Sequence, residues 1–277
     1  MRVVPVLATE AIFAANRSNG RVALRVDADG GYIRRTRVEE RGPLRVRFPT
    51  PEAGACEALF VNTAGGIAGG DTLSVDLSVG AGASLIAGTV AAEKIYRSAG
   101  SDAAISLNVA VEDAASLHWL PEETILFDKA RLSRRIDINL APNATLVFAE
   151  ALIFGRTAMG EKVGEGKVVD RWRLSRGGKL VFAETMRLTG PIADKLARPA
   201  VNHGGAAVAT VLIAPGDQSL VDRVRAATGS FQGTAGISAW NGIAVARFSA
   251  ADGASLRHDL RQLLTALDIR PPRLWLQ

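Results

Sequence analysis

Apolar and polar residues alternate through most of this chain at the period of a β-strand. Residues 73–79 and 105–111 show the pattern most clearly, because every second side chain in them is aliphatic. Turn-forming segments rich in Gly, Pro, Asn or Asp, such as residues 80–82 and 141–143, separate these stretches. Short alternating segments between regular turns predict an all-β body from Val22 to about Leu188. We expect consecutive strands in it to pair with their neighbours.

Helical periodicity appears only in the last quarter of the sequence. Asp217 is placed to cap a helix with an apolar face, and a stronger leucine stripe follows over residues 256–267. Between them, Asn241 and Gly242 predict a type I′ hairpin turn. Since no change in composition marks a boundary, we expect one domain over residues 1–277, with residues 1–20 as a loose leader.

Composition narrows the class of protein. The chain has 277 residues, of which 48% are hydrophobic, so it can bury a large core. Its net charge of +5 is scattered, and the densest group, the arginines of residues 34–47, alternates with apolar residues as on the solvated face of a strand. No nucleic-acid motif accompanies the charge. Cys56 is the only cysteine, which excludes an internal disulfide and agrees with a cytoplasmic location. No apolar run approaches the length of a membrane helix.

Residues 62–73, NTAGGIAGGDTL, hold four glycines, Gly65, Gly66, Gly69 and Gly70, followed by Asp71. Strand patterns lie on both sides, so the glycines form a strand-to-strand connection. A phosphate-binding loop would need a helix after it, and none is predicted here. The pattern therefore indicates a tight structural corner whose backbone amides lie close to the Asp71 carboxylate.

Carboxylates are the most promising candidates for chemistry. Glu150 and Glu184 each follow Val-Phe-Ala inside an apolar strand, where an unpaired charge is disfavoured. Asp71 and Glu161 complete the set. Each taken alone suits an ion pair or a strand face; together they could line a wet interior that a hard or borderline cation crosses without being stored. The three histidines are far apart, and no cysteine or histidine has the spacing of a permanent metal site. No serine lies in a nucleophile elbow.

Five motifs in order strongly resemble the UreD (UreH) family of urease accessory proteins. They are NTAGGIAGGD, KIYRS (residues 94–98), LHWLPEETILF (117–127), FGRTAMGE (154–161) and the closing PPRLW. Their order and spacing match the family over roughly residues 20–277, and the set is specific.

The resemblance implies a mainly β fold with strands stacked somewhat like a β-helix or sandwich and a few helices near the C-terminus. It also implies a cytoplasmic, non-enzymatic chaperone for urease maturation. Such a protein binds UreF, through it the GTPase UreG, and apo-urease, and Ni²⁺ passes through transiently with no permanent cofactor. On this basis Asp71, Glu150, Glu161 and Glu184 are candidates for the nickel passage. Tyr96 and Arg156, like the loop glycines, are expected to be architectural.

One departure from the family pattern concerns Glu93, which stands before Lys94 where many members show a hydroxyl residue. The role of that hydroxyl is therefore in doubt here. Two other classes of function stay open at this point. One is a hydrolase that uses two carboxylates on a small polar substrate. The other is a basic module that binds nucleic acid.

Overall fold

The structure is a computed structural model that describes residues 16–50, 56–156 and 159–276. Most of the expected leader lies outside these residues, and the first strand within them begins at Asn19. The strands before the first helix are β1 (Asn19–Asp29), β2 (Tyr32–Arg41), β3 (Leu44–Arg47), β4 (Cys56–Asn62), β5 (Thr72–Val79), β6 (Ser84–Thr89), β7 (Glu93–Ile95), β8 (Ala103–Val111), β9 (Ser116–Trp119), β10 (Thr124–Leu126), β11 (Arg131–Leu140), β12 (Thr145–Phe154), β13 (Gly166–Arg176) and β14 (Lys179–Gly190).

The remaining elements mix helices and strands. They are α1 (Ile192–Leu196), β15 (Ala207–Ala214), α2 (Gln218–Ala226), a 3₁₀ turn (Thr228–Ser230), β16 (Thr234–Trp240), β17 (Ile243–Ala250), α3 (Gly253–Ala266) and a second 3₁₀ turn (Arg273–Leu276). The mainly β fold with helices near the C-terminus is thus confirmed. The short helix α1 was not predicted.

Two sheets form the body of the protein. Sheet A has the order β14-β13-β11-β8-β5-β1-β2, and sheet B has the order β16-β17-β15-β12-β9-β6-β4-β3, with β7 and β10 attached beside β12. From β4 to β13 the longer strands alternate between the two sheets, and each pairs in parallel with the next strand of its own sheet. The result is a stack of β-solenoid-like rungs.

The expectation that consecutive strands pair was wrong for this region. Alternation in a sequence shows which face of a strand is buried, but not which sheet the strand joins. The turns decide the matter, because they also belong to the stack. The backbone N–H of Gly82 donates to Asp113 at 2.9 Å, that of Ser116 to Ala83 at 2.8 Å, and that of Thr145 to Ala115 at 2.9 Å. Each corner therefore passes the chain to the other sheet and bonds to the corner of the next rung.

The main core fills the space between the sheets. A row of aromatic rings crosses it, with Phe60, Trp119, Phe148 and Trp172 at successive centroid distances of 5.4, 6.0 and 5.3 Å. A second core lies on the outer face of sheet B, where α2 and α3 cover β12, β15 and β17. The aromatic row of the main core adds to the stabilisation that burial alone provides.

Local signals in the last quarter were accurate. The Asp217 carboxylate accepts from the Leu220 N–H at 2.9 Å and caps α2. Asn241 and Gly242 have φ of 50° and 75°, as the predicted type I′ turn between β16 and β17 requires. The leucine stripe lies on α3 and faces sheet B.

The glycine segment joins β4 to β5 as a compact corner. Gly65 and Gly70 adopt positive φ of 75° and 92°. Gly66 and Gly69 are needed for a different reason, since a Cβ on Gly66 would collide with the Tyr96 ring and one on Gly69 with Ser98. The corner therefore depends on glycine both for backbone conformation and for close packing.

We predict that Gly69→Ala lowers the free energy of unfolding by about 1–3 kcal/mol, as overpacking in a filled site does. The added methyl would lie 2.5 Å from the Ser101 carbonyl oxygen, which is backbone and cannot move aside alone. Gly100→Ala is the matched control, because nothing lies within 4 Å of its Cβ position. Urea unfolding followed by circular dichroism measures both variants, and equal stabilities would contradict the close packing at Gly69.

Candidate functional site

Two neighbouring strands of sheet A bring opposite charges together inside the protein. β11 and β13 pair in register so that Arg134 lies directly beside Asp170. Both occupy inward positions of their alternating strands, and they are 5% and 4% exposed. Arg134 Nε and Nη2 donate to the two carboxylate oxygens of Asp170 at 2.9 and 2.6 Å. The guanidinium is thereby held by a bidentate pair, the strongest geometry available to it.

Glu150 reaches the same point from the opposite sheet. On β12 the side chains of Phe148, Glu150 and Leu152 face the space between the sheets, while the intervening residues face the helices. Arg134 Nη1 donates to Glu150 Oε2, and Trp119 Nε1 donates to Glu150 Oε1 at 2.9 Å. We call Arg134, Glu150 and Asp170 the charge triad.

Burial and pairing have opposite effects on the pKa values of the triad. Burial raises the pKa of Glu150, and the attraction of Arg134 and the Trp119 hydrogen bond only partly offset this. For Arg134, burial acts to lower the pKa, but the charges of Asp170 and Glu150 outweigh it and the pKa is raised. Arg134 is therefore a permanent cation between two carboxylates, of which Glu150 binds a proton more readily than an exposed glutamate.

Two cavities meet at the triad. The inner cavity, about 100 Å³, is lined among others by Asn62, Glu93, Glu122, Arg134 and Glu150. The small cavity, about 30 Å³, is lined among others by Arg134, Glu150, Asp170 and Glu184. Since Arg134 and Glu150 line both cavities, their ion pair separates one from the other.

Two further carboxylates face the inner cavity. Glu93 is half-buried, and its Oε2 accepts from Asn62 Nδ2 at 3.0 Å. Burial raises its pKa more than this hydrogen bond lowers it. The pKa of Glu122 is also raised by burial, although Arg257 of α3 pairs with it. The inner cavity thus combines three glutamates with a mostly apolar wall.

Glu184 lies on β14 and lines the small cavity. It pairs with Arg247 of β17, so the link joins the edge regions of the two sheets. The carboxylate is about one-third exposed. Of the four sequence candidates, Glu150 and Glu184 are therefore brought to one continuous region of the interior.

Asp71 and Glu161 lie elsewhere. The Asp71 carboxylate accepts from the backbone N–H groups of Ser18 and Ala68 at 2.8 and 2.7 Å, so it fixes the glycine corner, as its place in the sequence suggested. Glu161 forms a two-point pair with Arg156, at 2.7 and 3.0 Å. Among the described residues that line the two cavities, neither carboxylate is found.

Tyr96 and Arg156 connect the family motifs by packing. The Tyr96 hydroxyl donates to the Gly65 carbonyl at 3.0 Å, and its ring meets Phe127 edge-on at 5.3 Å. The Arg156 guanidinium lies 4.4 Å from the centre of the same Phe127 ring. Both side chains therefore make packing contacts with neighbouring motifs.

The sequence analysis missed Arg134, Asp170 and Glu93 as members of the site. Alternation contained the signal for the first two, because the inward series of β11 extends back from Ile136 to Arg134 and that of β13 from Trp172 to Asp170. A charged residue in phase with buried neighbours predicts a buried pair. Glu93 lies in a three-residue strand, which is too short to show a period.

Over the described ranges, no three His, Cys, Asp or Glu side chains are grouped so that they could hold a metal ion. None of the helices described there has both the length and the apolar character to cross a bilayer.

Comparison with known proteins identifies the class. The family model described as "UreD urease accessory protein" matches the sequence over residues 18–276. The chain is 54% identical over 278 residues to the urease accessory protein UreD of Rhodopseudomonas palustris strain BisA53, covering 99% of this chain and 97% of the relative. It is 52% identical to urease accessory protein UreD 1 of Bradyrhizobium sp. strain ORS 278 over the full length of both. The chain belongs to the UreD family of urease accessory proteins.

Removing the central cation should destabilise the fold strongly. We expect Arg134→Met to lower the free energy of unfolding by about 3–5 kcal/mol, because it leaves two carboxylates buried without a partner. The triple variant R134M/E150Q/D170N removes the charges together and should recover a large part of this loss. Urea unfolding at pH 7 tests both. A triple variant as unstable as the single one would show that the loss comes from packing rather than charge.

Glu93→Gln should change the pH dependence of stability. The folded-state pKa of Glu93 is raised above its usual value of 4.5, so wild-type stability falls as the pH rises from 4.5 through the folded pKa. The variant lacks this fall, and its free energy of unfolding should increase relative to wild type between pH 4.5 and 7. Glu39→Gln gives the opposite sign, since hydrogen bonds from Arg37 lower the pKa of Glu39. Unfolding curves at pH 4.5, 5.5 and 7 check both, and a pH-independent difference would contradict the assignment for Glu93.

Proposed function

We propose that this protein is a non-enzymatic scaffold of urease maturation that conducts Ni²⁺ through the space between its sheets to apo-urease. Family membership supports the role in maturation. The observation that carries the route is the position of the Arg134–Glu150 pair between two cavities that carboxylates line. Oxygen ligands bind Ni²⁺ only weakly, which suits transfer rather than storage.

The order of the acidic groups defines the proposed route. Glu93 and Glu122 face the inner cavity, Glu150 stands at the junction, and Glu184 lies beyond it. A dication that leaves water needs compensating negative charge at each stage. This succession supplies it without three ligands grouped at one point.

Arg134 must move during transfer. In this conformation the Arg134 guanidinium is paired with the Glu150 carboxylate. A fixed cation at the junction also repels an arriving Ni²⁺ ion. Two hydrogen bonds join Arg134 to Asp170, whereas only one joins it to Glu150. Release of the single bond to Glu150 would leave that carboxylate held only by Trp119, and Arg134 would stay paired with Asp170. The triad would then act as a gate between the cavities.

The proposed assembly contains a UreF-like helical partner, the GTPase UreG bound through it, and apo-urease. These partners come from the family resemblance. The surfaces that they would use lie outside the two cavities, because both cavities are between the sheets. Substitutions in the interior should therefore alter nickel transfer without preventing assembly.

The interior geometry favours this role over a two-carboxylate hydrolase. Pockets that hold small-molecule substrates are about 300–1,000 Å³, whereas the inner cavity is about 100 Å³. The two closest carboxylates of the triad both bind one guanidinium, so neither faces an open substrate site. We therefore favour passage of an ion over turnover of a substrate.

We predict that Glu150→Gln and Glu184→Gln each slow the arrival of Ni²⁺ at urease about tenfold, since a missing charge weakens attraction for a dication by more than about 1 kcal/mol. The assay combines the purified chain, its partners and apo-urease, and follows urease nickel content by mass spectrometry. Gel filtration of the same mixtures checks that assembly is intact.

Glu39→Gln is the control, because Glu39 lies exposed on the edge strand β2. It should transfer nickel like wild type, as should Glu161→Gln if the route is internal. Wild-type nickel content with both the Glu150 and Glu184 variants would remove these residues from the route. Loss of assembly in the Glu39 control would invalidate the comparison as a test of the interior.

A further inference from the structure

Strand β16 ends sheet B, and within the described part of the chain one of its long edges has no neighbouring strand. It pairs with β17 alone, over seven consecutive residues and without a shift in register. The type I′ turn that closes this hairpin makes Trp240 and Ile243 its first hydrogen-bonded pair. Such pairs alternate along an antiparallel ladder. The backbone groups of Ala235, Ile237 and Ala239 therefore point to the open edge.

A side chain of α2 agrees with this orientation. Arg225 Nη2 donates to the Ile237 carbonyl at 3.2 Å, as expected of a carbonyl that faces away from β17. Across the described residues, the N–H groups of Ala235, Ile237 and Ala239 have no acceptor. The open edge thus presents a row of unused donors and a carbonyl that a flexible cation covers.

This edge differs from the other three strands that end the sheets. On β2 six of ten residues are charged, β3 has only four residues, of which two are arginine, and β14 has three charged residues and a register shift against β13. Charges, short strands and bulges prevent an edge from pairing with another chain. The sequence of β16, TAGISAW, has neither a charged residue nor a proline. Of the four, β16 is therefore the best suited to accept another strand.

A groove of about 440 Å³ lies along β16. Arg225 of α2 and Phe231 of the following turn line it, together with residues of the strand itself. Trp240 at the end of β16 also lines the groove and is 38% exposed. Gly236 leaves further room, since nothing lies within 4 Å of its Cβ position. A strand added to β16 would find space for its side chains as well as backbone partners.

We propose that the open edge of β16 binds an extended segment of a partner protein as an added antiparallel strand. The segment carries an acidic and an apolar residue on the face that meets α2 and the groove. Backbone hydrogen bonds supply affinity, and alternate side chains in the groove supply selectivity. This site does not depend on passage of nickel through the interior.

Charge determines the occupant of the edge. The cations that line the groove are Arg225 and Arg247, and none of its described lining residues is Asp or Glu. Arg247 is already paired with Glu184. An acidic side chain would therefore replace the Ile237 carbonyl as the partner of Arg225. A second copy of this chain would instead bring two Arg225 side chains together across a two-fold axis, where they repel each other.

The probe is a fluorescein-labelled peptide, Thr-Glu-Thr-Phe-Thr-Val-Thr, which has the seven-residue length of β16. Its Glu, Phe and Val side chains lie on one face of a strand. Fluorescence anisotropy with the full-length protein should show saturable binding. The same peptide with N-methyl groups on the Glu, Phe and Val backbone nitrogens cannot donate to β16, and it should bind about tenfold or more weakly. Absence of saturable binding of the unmethylated peptide up to about 1 mM would overturn the proposal.

Two substitutions test the edge and the charge. Ala239→Pro removes an outward N–H without removing a bond to β17, and it should weaken binding about tenfold or more. If this variant does not fold, as judged by circular dichroism, the N-methylated peptide makes the same test on the wild-type chain. Arg225→Glu should weaken binding of the glutamate peptide about tenfold and strengthen binding of a peptide with Lys in place of Glu.

Arg223→Glu is the matched control for Arg225→Glu. It makes the same change in charge on α2, at an exposed position that does not share a helix face with Arg225. It should alter binding less than about twofold. Equal losses in the two variants would overturn the proposal, because the peptide would then respond only to net charge.

Hydrogen exchange separates strand addition from docking of side chains alone. Bound peptide should slow the exchange of the Ala235, Ile237 and Ala239 N–H groups, followed by NMR. Binding that leaves these three rates unchanged would overturn strand addition. Sedimentation of the peptide-free protein checks the alternative occupant. A dimer that Ala239→Pro abolishes would assign the edge to a second copy of the chain and overturn its assignment to a partner.

Discussion

The constraint on which this structure depends is that every strand of the stack has one face between two sheets. A side chain on that face must bury apolar surface or find a partner, since water cannot reach most of it. β11 shows both outcomes. Leu132, Ile136 and Ile138 bury apolar side chains, whereas Arg134 between them is paired with a carboxylate on each of two sides. Parallel strands that pair in register place their inward residues side by side. An inward charge on one strand therefore lies beside an inward residue of the next strand. Arg134 and Asp170 are partners for that reason.

This constraint makes the charge triad difficult to explain by stability alone. A buried ion pair usually gains no more than well-packed apolar residues of similar volume would, whereas breaking one is costly. The triad carries one cation against two carboxylates, and burial raises the pKa of Glu150. It also lies where two cavities meet, next to further carboxylates. A group that weakens a dry core is easier to understand as part of a polar path through it.

A feature could be predicted from the sequence when the residues that form it lie close together along the chain. The helix cap at Asp217, the hairpin at Asn241 and the corner around Asp71 depend on residues close in sequence, and all were found. The pairing order of the strands depends on which corners stack on one another. Alternation does not encode this, so the predicted pairing of consecutive strands was wrong. Arg134 and Asp170 could have been predicted as buried from the same alternation that identified β11 and β13. Glu93 could not, because contacts between distant rungs place it on the cavity.

The glycine corner packs against the segment that leads to the inner cavity. Gly66 packs on Tyr96, whose ring contacts Phe127 beneath the Arg156 guanidinium, while Gly69 packs on Ser98. Strand β7 ends just before Tyr96 and begins at Glu93 on the inner cavity. A side chain added at Gly66 would thus press on Tyr96, which directly follows this short strand. These two glycines tolerate little added volume because Tyr96 and Ser98 already fill the space that a Cβ would need.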